Sequence, residues 1–335
     1  MPYSVIFFGT SDFSTPSLQA LINDARFSVK TVVTKPDMKV GRHQEEIEPP
    51  VKKMSKKHAI PVLQFDKIKT EETYNLLKDA GRGVVVPAQV ATGVVSETTP
   101  RGTSDDDKID VYVVVSYGKI IPQRILELPK YGVINVHGSL LPKHRGASCV
   151  QSAIASGDKE TGVTIMLMDA EMDHGPILAQ KTTPIREDDT GGILHDRLAD
   201  IGAVLLPDVL MDFIEHKIEP MEQKHDSATY CKILKREDGE IDWSKSAAEI
   251  ERLVRAYNPW PGTFVMLNGK RIKIHKSSSN VERLMSNEAS TWFSEDDRLF
   301  VTCGDKQALE ILELQPEGKR RMSAKEFLAG HQLDT

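Results

Sequence analysis

Cysteine is scarce, with 3 in 335 residues: Cys149, Cys231 and Cys303. They are odd in number, scattered and without C-x-x-C spacing, so neither a disulfide framework nor a metal site is expected. No apolar run approaches the ~20 residues that cross a bilayer. Met1-Pro-Tyr3 leads straight into a strand-like run without a basic leader segment. A cytoplasmic protein without a membrane partner is therefore expected. A basic excess is lacking too. The formal net charge of −6 argues against indiscriminate nucleic-acid binding, which wants a basic surface. The deficit is uneven, however. From Ser227 onward 17 Lys and Arg face 17 Asp and Glu, so the N-terminal region carries the whole negative excess. A polyanion would meet less repulsion in the C-terminal region.

What is present is a chain long enough for two domains, with 39% hydrophobic and 27% charged residues, the balance of a globular protein with an ample core. Ser4–Phe8 is an apolar run that reads as a strand buried on both faces, and Gly9–Phe13 is the turn after it. Pro16–Asn23 reads as a helix, with Ser14 or Thr15 as N-cap and Pro16 just inside the start. Phe27–Thr34 is a second strand. Strand, helix and strand in so short a span predict a mostly parallel, Rossmann-like α/β sheet with helices on both faces. The single glycine turn is not the G-x-G-x-x-G fingerprint, and no acidic residue follows the second strand where that fingerprint needs one, so a nicotinamide dehydrogenase is weakly supported.

The polar stretch 35–57 reads as a loop running into a helix, Pro61–Gln64 as a short strand, and Thr70–Ala80 as an amphipathic helix. Gly81–Asp107 is an extra segment before the next strand. Its Val84–Val86 and Val94–Val95 runs, with Pro and Gly between them, predict a surface hairpin. Val111–Val115 is the most strand-like run, Pro122–Leu128 a helix, and Val133–His137 a strand that returns to the sheet.

On that last strand Asn135 and His137 lie two apart and project to one face. Gly138–Pro142 breaks the strand, Cys149–Ser156 is helix-like, and Thr161–Met168 is a second β-rich segment. That segment empties into the acidic turn 169–175. An amide, an imidazole and a carboxylate (Asp173) at the ends of two strands make a candidate catalytic triad. A loop at the carboxyl ends of parallel strands opens on the crevice where α/β ligands bind. Thr190–Leu206 and Val209–Ile218 read as two further helices.

Residues 219–235 have no periodic pattern and read as a polar linker. Beyond it the composition changes. Ala247–Arg255 is a helix and Asn258-Pro-Trp-Pro-Gly262 a rigid segment. Short strands follow at Thr263–Leu267, Arg271–His275, Arg298–Thr302 and Leu309–Leu314, with Asn268-Gly269 as a hairpin turn. Short strands with turns predict a small barrel. Lys232 and Lys235 before it, and Lys270, Arg271, Lys273 and Lys319-Arg320-Arg321 within it, are basic positions that could face RNA.

Taken in order, N-x-H, S-L-L-P, an R-G-A helix start and M-D-x-x-x-D-x-G resemble the folate-dependent formyltransferases. Phe8–Phe13 in front and Asn258–Gly262 behind extend the resemblance over most of the chain, the segment 81–107 excepted. It implies a catalytic domain over 1–218, a linker over 219–235, and a C-terminal OB-like β-barrel that binds tRNA over 236–335. It also implies 10-formyltetrahydrofolate as formyl donor, held in part by Ser139, Leu140, Leu141 and Pro142, and initiator tRNA charged with methionine as acceptor. Asn135, His137 and Asp173 match the family's catalytic positions, and Arg42 its tRNA-contacting loop arginine. This chain departs from the pattern at Glu45, Glu46 and Glu48, where acidic groups repel phosphate, and at Ser148-Cys149, where Ala-Pro is usual. A monomer is expected.

Formyl transfer is attack of an amine on an activated one-carbon acyl group, through a tetrahedral intermediate that carries an oxyanion. An α-amino group has a reference pKa of about 7.7–8.0, so much of it is neutral near pH 7 without a potent base. The site must supply orientation and oxyanion stabilisation. Asn135 can donate through its amide, His137 can donate as an imidazolium or relay a proton, and Asp173 can orient His137 and accept the amine's proton. Two alternatives stand beside this: the same donor with an amino-sugar nucleotide or water as acceptor, and an RNA-binding pseudo-enzyme.

Overall fold

The computed structural model describes residues 1–40, 45–80, 108–267, 269–280 and 289–330. Arg42, the segment 81–107 and Asn268 lie outside them. The described chain divides into two compact units. Unit 1 comprises Met1–Ala147, Gly162–Thr182 and Asp196–Tyr230; unit 2 comprises Ser148–Thr161, Thr183–His195 and Cys231–Thr335.

The first part of the chain runs β1 (Tyr3–Gly9), α1 (Thr15–Asn23), β2 (Phe27–Thr34), β3 (Met38–Val40), β4 (Glu45–Ile47), α2 (Pro50–Lys57), β5 (Val62–Gln64), α3 (Glu71–Ala80), β6 (Val111–Val115), α4 (Gln123–Leu126) and β7 (Val133–His137). Then come α5 (Cys149–Ser156), β8 (Glu160–Leu167), β9 (Ile177–Pro184) and α6 (Gly191–Ile214). The main sheet has seven strands in the order β5-β2-β1-β6-β7-β8-β9. Its first five strands pair in parallel, and β8 runs antiparallel to β7. The chain steps outward from β1 to β2 and β5, then returns beside β1 at β6. That reversal is a topological switch point, and a crevice opens there at the carboxyl ends of the strands.

The expected parallel sheet follows from the sequence: runs such as Val5–Phe8 and Val111–Val115 are buried on both faces, as in a parallel sheet covered on both sides. The polar stretch after β2, read as a loop into a helix, also contains the short antiparallel pair β3-β4. Residues 190–218, read as two helices, form the single helix α6, which continues through Pro207. Leu206, Val209, Leu210 and Ile214 carry one buried stripe past the proline, and that packing outweighs the missing backbone donor. Gly202 lets α6 close on β7, since a Cβ there would lie 2.8 Å from Val136 Cγ1. Val136 thus faces α6, and the strand's alternation sends Asn135 and His137 to the other side.

Residues 221–230, in the stretch whose composition reads as a linker, are seated in unit 1. Backbone bridges join Ile177 to Met221 and Arg145 to Tyr230.

Unit 2 contains α7 (Ala247–Ala256), β10 (Thr263–Leu267), β11 (Lys270–Ser278), β12 (Trp292–Glu295), β13 (Arg298–Thr302), β14 (Ala308–Pro316), β15 (Met322–Ser323) and α8 (Ala324–Gly330). The six strands form an all-antiparallel sheet, β10-β11-β14-β13-β12 with β15 on β14, the make-up of a barrel-like domain. Leu267 pairs with Lys270 and Gly269 has φ +74°, as the short hairpin connection requires. The helix α7 opens with a capping box, Ser246 accepting from Glu249 N and Glu249 from Ser246 N, which the pattern S-A-A-E encodes. Its Ile250 and Val254 pack into a core with Trp243, Trp292, Leu309 and Ile311.

Candidate active site

The structure brings Asn135, His137 and Asp173 together. Asn135 and His137 end β7, buried to 8% and 7% exposure, and β8 delivers Asp173 through the turn after it. Asn135 Nδ2 donates to Asp173 Oδ1 at 3.3 Å. Gly146 N donates to Asp173 Oδ2 at 2.7 Å. His137 Nδ1 lies 3.7 Å from the same oxygen, too far for a hydrogen bond but within ion-pair reach when the ring is charged. His137 Nε2 lies 3.1 Å from His144 O. A carbonyl only accepts, so Nε2 carries the proton there. Both ring nitrogens therefore face oxygens, and a second proton on the ring would sit toward the Asp173 carboxylate.

Backbone conformation at this site is unusual. Asp173 has φ +50° and His144 φ +57°, a left-handed region sparsely populated by residues with a Cβ. Such conformations persist where surroundings over-determine them, and the turn after β8 is held tightly. At Gly175 a Cβ would meet Leu167 O at 2.0 Å, so the turn folds back directly on the strand that leads into it.

The Ser139–Pro142 loop is clamped by one hydroxyl. Thr164 Oγ1, fully buried, donates to Ser139 O at 2.6 Å and accepts from Leu141 N at 3.0 Å and Gln180 Nε2 at 2.9 Å. Ser139 Oγ donates to Lys143 O at 2.6 Å. The four loop residues are not equivalent. Ser139 is fully buried, Leu141 packs against Met166 and Ile177, and Leu140 and Pro142 are half-buried. Leu140 and Pro142 are thus the loop's apolar surface open to a ligand. The same loop runs on to Gly146, whose N–H holds Asp173. An apolar edge continuous with the Asp173 site suits a heterocyclic ligand with polar edges.

Around this cluster lies a second layer, in which sequence reasoning missed Gln223, His225 and Tyr230. Arg145, 1% exposed, donates through Nη2 at 2.7 Å and Nε at 3.3 Å to Gln223 Oε1. It also donates to Tyr230 OH at 3.1 Å, and its Nη2 lies 2.9 Å from His225 Nδ1. Arginine only donates, so that histidine nitrogen must be the acceptor. Gln223 Nε2 donates to Asp173 O at 2.9 Å and Gly175 O at 2.7 Å. His225 stacks on His174 at 4.0 Å, and His174 Nδ1 lies 2.6 Å from Asp169 Oδ2. Nothing in the aperiodic stretch 219–230 marks Gln223 locally; only its burial does.

Two family models match the chain: "Formyl transferase" over residues 3–210 and "Formyl transferase, C-terminal domain" over 233–332. A methionyl-tRNA formyltransferase of Caldanaerobacter subterraneus subsp. tengcongensis is 39% identical over 329 residues, 98% of this chain and 97% of that protein. One of Hahella chejuensis is 38% identical, covering 98% and 94%. The chain belongs to the methionyl-tRNA formyltransferases. Among solved structures, an N-formyltransferase from Helicobacter canadensis, bound to folinic acid and dTDP-3-aminofucose, shares the fold. Its TM-score is 0.63 at 19% identity, covering 93% of this chain and 99% of that one.

In this family member the basic positions singled out from sequence divide by setting. Lys232 pairs with Asp238, whose carboxylate raises the lysine's pKa, and Lys235 N donates to the same carboxylate at 2.7 Å. Lys270 and Arg271 open β11, and both are exposed. Arg271 stacks its guanidinium over Phe264 at 4.1 Å, a cation–π contact that fixes its direction. Arg320 and Arg321 pair with Glu326 and Glu313. Glu45 and Glu46 are exposed on β4, while Glu48 pairs with Lys52 and Lys56, which offsets part of its repulsion toward phosphate. Among the described residues no helix is long and apolar enough to cross a membrane.

Proposed function

We propose that this chain transfers the formyl group of 10-formyltetrahydrofolate to the α-amino group of methionyl-initiator-tRNA, giving N-formylmethionyl-tRNA. The observation that carries the chemistry is the convergence of Asn135, His137 and Gly146 N on one carboxylate, Asp173. Identity of 37–39% along nearly the whole chain with methionyl-tRNA formyltransferases supports the acceptor.

When bound, the folate supplies an activated formyl carbon. Leu140 and Pro142 receive its ring system at the Ser139–Pro142 loop. Asn135 Nδ2 has two hydrogens; one is directed to Asp173, and the other is the donor for the formyl oxygen as negative charge grows on it. His137 in its charged form adds a positive field at the same place. Asp173, ordered by the Gly146 amide, accepts the proton that the attacking amine must lose and returns it to the folate N10 as the bond from N10 to the formyl carbon breaks and tetrahydrofolate leaves. Lys232, Lys235, Lys270 and Arg271 contact the tRNA backbone, and Arg42 its acceptor end, so that the C-terminal domain grips the tRNA and the catalytic domain does the chemistry.

The test is formyl transfer from 10-formyltetrahydrofolate to methionyl-initiator-tRNA by the full chain, followed as formylmethionine released on deacylation. Catalytic formation of that product is expected. Formylation of a dTDP-amino sugar in its place would establish the sugar-nucleotide reading. Tight tRNA binding with no transfer to either acceptor would leave an RNA-binding pseudo-enzyme.

A further inference from the structure

Gln223 uses its whole side-chain amide. A glutamine amide offers two N–H donors and two acceptor lone pairs. Both donors go to backbone carbonyls of the acidic turn, Asp173 O at 2.9 Å and Gly175 O at 2.7 Å. Both lone pairs receive Arg145, from Nε at 3.3 Å and Nη2 at 2.7 Å. The orientation of the amide is not free, because an arginine cannot accept and a carbonyl cannot donate. Gln223 is 5% exposed and Arg145 1%, so these bonds form out of water, where an unmade one costs most.

Of the two carbonyls that Gln223 holds, one belongs to Asp173, whose carboxylate the site is built on, and the other to Gly175, two residues on. Asp173 sits at φ +50°, a conformation that needs external support. Gly146 N fixes the carboxylate end of that residue, while Gln223 fixes its backbone end. Arg145 and Gly146 are neighbours in sequence. One short segment therefore reaches Asp173 by two routes, directly through the Gly146 amide and indirectly through Arg145 and Gln223.

We propose that Gln223 is a positioning residue: braced by Arg145, its amide holds the Asp173–Gly175 turn so that the Asp173 carboxylate faces Asn135, His137 and the Gly146 amide. This rests on the role assigned to Asp173 under Proposed function. The effect is on turnover, because a misplacement of about 1 Å in a reacting group can cost on the order of 100-fold, whereas Gln223 itself is buried with its amide bonded to protein groups.

The experiment uses Gln223→Glu and Gln223→Met in the full chain, each alone and combined with Asp173→Ala. The glutamate keeps the acceptors for Arg145 but sets a carboxylate oxygen against two carbonyls. The methionine removes all four bonds without adding charge, and serves if the glutamate prevents folding. Rates are expressed per reduced-folate site, titrated with 5-formyltetrahydrofolate, so that unfolded protein does not enter. Each single variant should lose roughly 10- to 100-fold in kcat, with KM for both substrates changed less than about 3-fold. In the Asp173→Ala background the same substitution should cost less than about 2-fold, because its route of action is gone. Wild-type turnover in both variants overturns the proposal, as does an equal loss in the two backgrounds. Loss of all reduced-folate binding in both would make Gln223 a general structural residue and overturn it as well. If Asp173→Ala alone turns over like wild type, the reading of Asp173 has failed; if it is slow while the Gln223 variants are normal, only the positioning role has failed.

Discussion

Gly146 and Asp173, 27 positions apart, are joined by the shortest contact to the Asp173 carboxylate, N to Oδ2 at 2.7 Å. A backbone amide is a donor that no substitution short of proline removes, so the position of the carboxylate depends on the path of the 139–146 loop. The loop proposed to receive the folate thereby also positions the Asp173 carboxylate.

His137→Ala and Asp173→Ala should each lower kcat at least ~100-fold, the scale of removing a donor or charge that acts in the transition state. Asp173→Ala also leaves the buried Gly146 N–H without its acceptor, so a stability loss of about 1–3 kcal/mol should accompany it. Single-turnover rates and thermal melts separate the two effects. Wild-type turnover in either variant would remove that residue from the chemistry.

Thr164→Val should act on folate rather than on the chemical step. The hydroxyl it deletes serves Ser139 O, Leu141 N and Gln180 at once. Each buried group left unpaired costs about 1–3 kcal/mol. KM for the folate should rise several-fold and the melting temperature fall, with kcat largely kept. An unchanged folate KM would show that the loop is not part of the donor's pocket.

Lys270→Ala should raise KM for tRNA with kcat and folate KM unaltered. If the ammonium contacts a phosphate, the slope of log affinity against log salt should become shallower by about one. Titrations at several salt concentrations decide it; an unchanged slope places Lys270 off the tRNA path.

His275 connects acidity to the stability of unit 2. Its partial burial holds the imidazole's pKa below the ordinary value, against the raising effect of its bond to Gln315. As pH falls below about 6.5, the reference value, the unfolded chain takes up this proton first. Stability present above that pH is therefore lost as pH falls toward the folded-state value. Between pH 7.5 and 5, His275→Gln should lose less thermal stability than wild type. Equal losses would show that other groups set the acid response.

Much of this was legible in the sequence because it is local. The two-residue spacing of Asn135 and His137 on a strand sends both to one face, and the structure places both against Asp173. The helix read over Ala247–Arg255 is α7, Ala247–Ala256, and the runs Val5–Phe8 and Val111–Val115 announced a covered parallel sheet. What was not legible is carried by distant pairs. Gln223 sits in a stretch without periodicity, so its contact with Asp173, 50 residues away, leaves no local trace. Pro207 breaks the helical pattern on paper, but tertiary packing of Leu206, Leu210 and Ile214 carries α6 through it. Leu141 looks like its neighbour Leu140, and only the positions of Met166 and Ile177 make it a core residue.

The bridges from Ile177 to Met221 and from Arg145 to Tyr230 also bear on when the enzyme becomes competent during its own synthesis. Asn135, His137 and Asp173 leave the ribosome before the segment that braces them exists. At the usual pace of translation, on the order of 5–20 residues per second, the wait from Asp173 to Tyr230 lasts several seconds. A nascent chain halted before residue 221 thus carries the three reactive side chains without Gln223 and the strand-like seam beside it. With Gln223 in the positioning role proposed above, the site is complete only once the last-made part of unit 1 has joined the strands on which Asn135 and His137 stand.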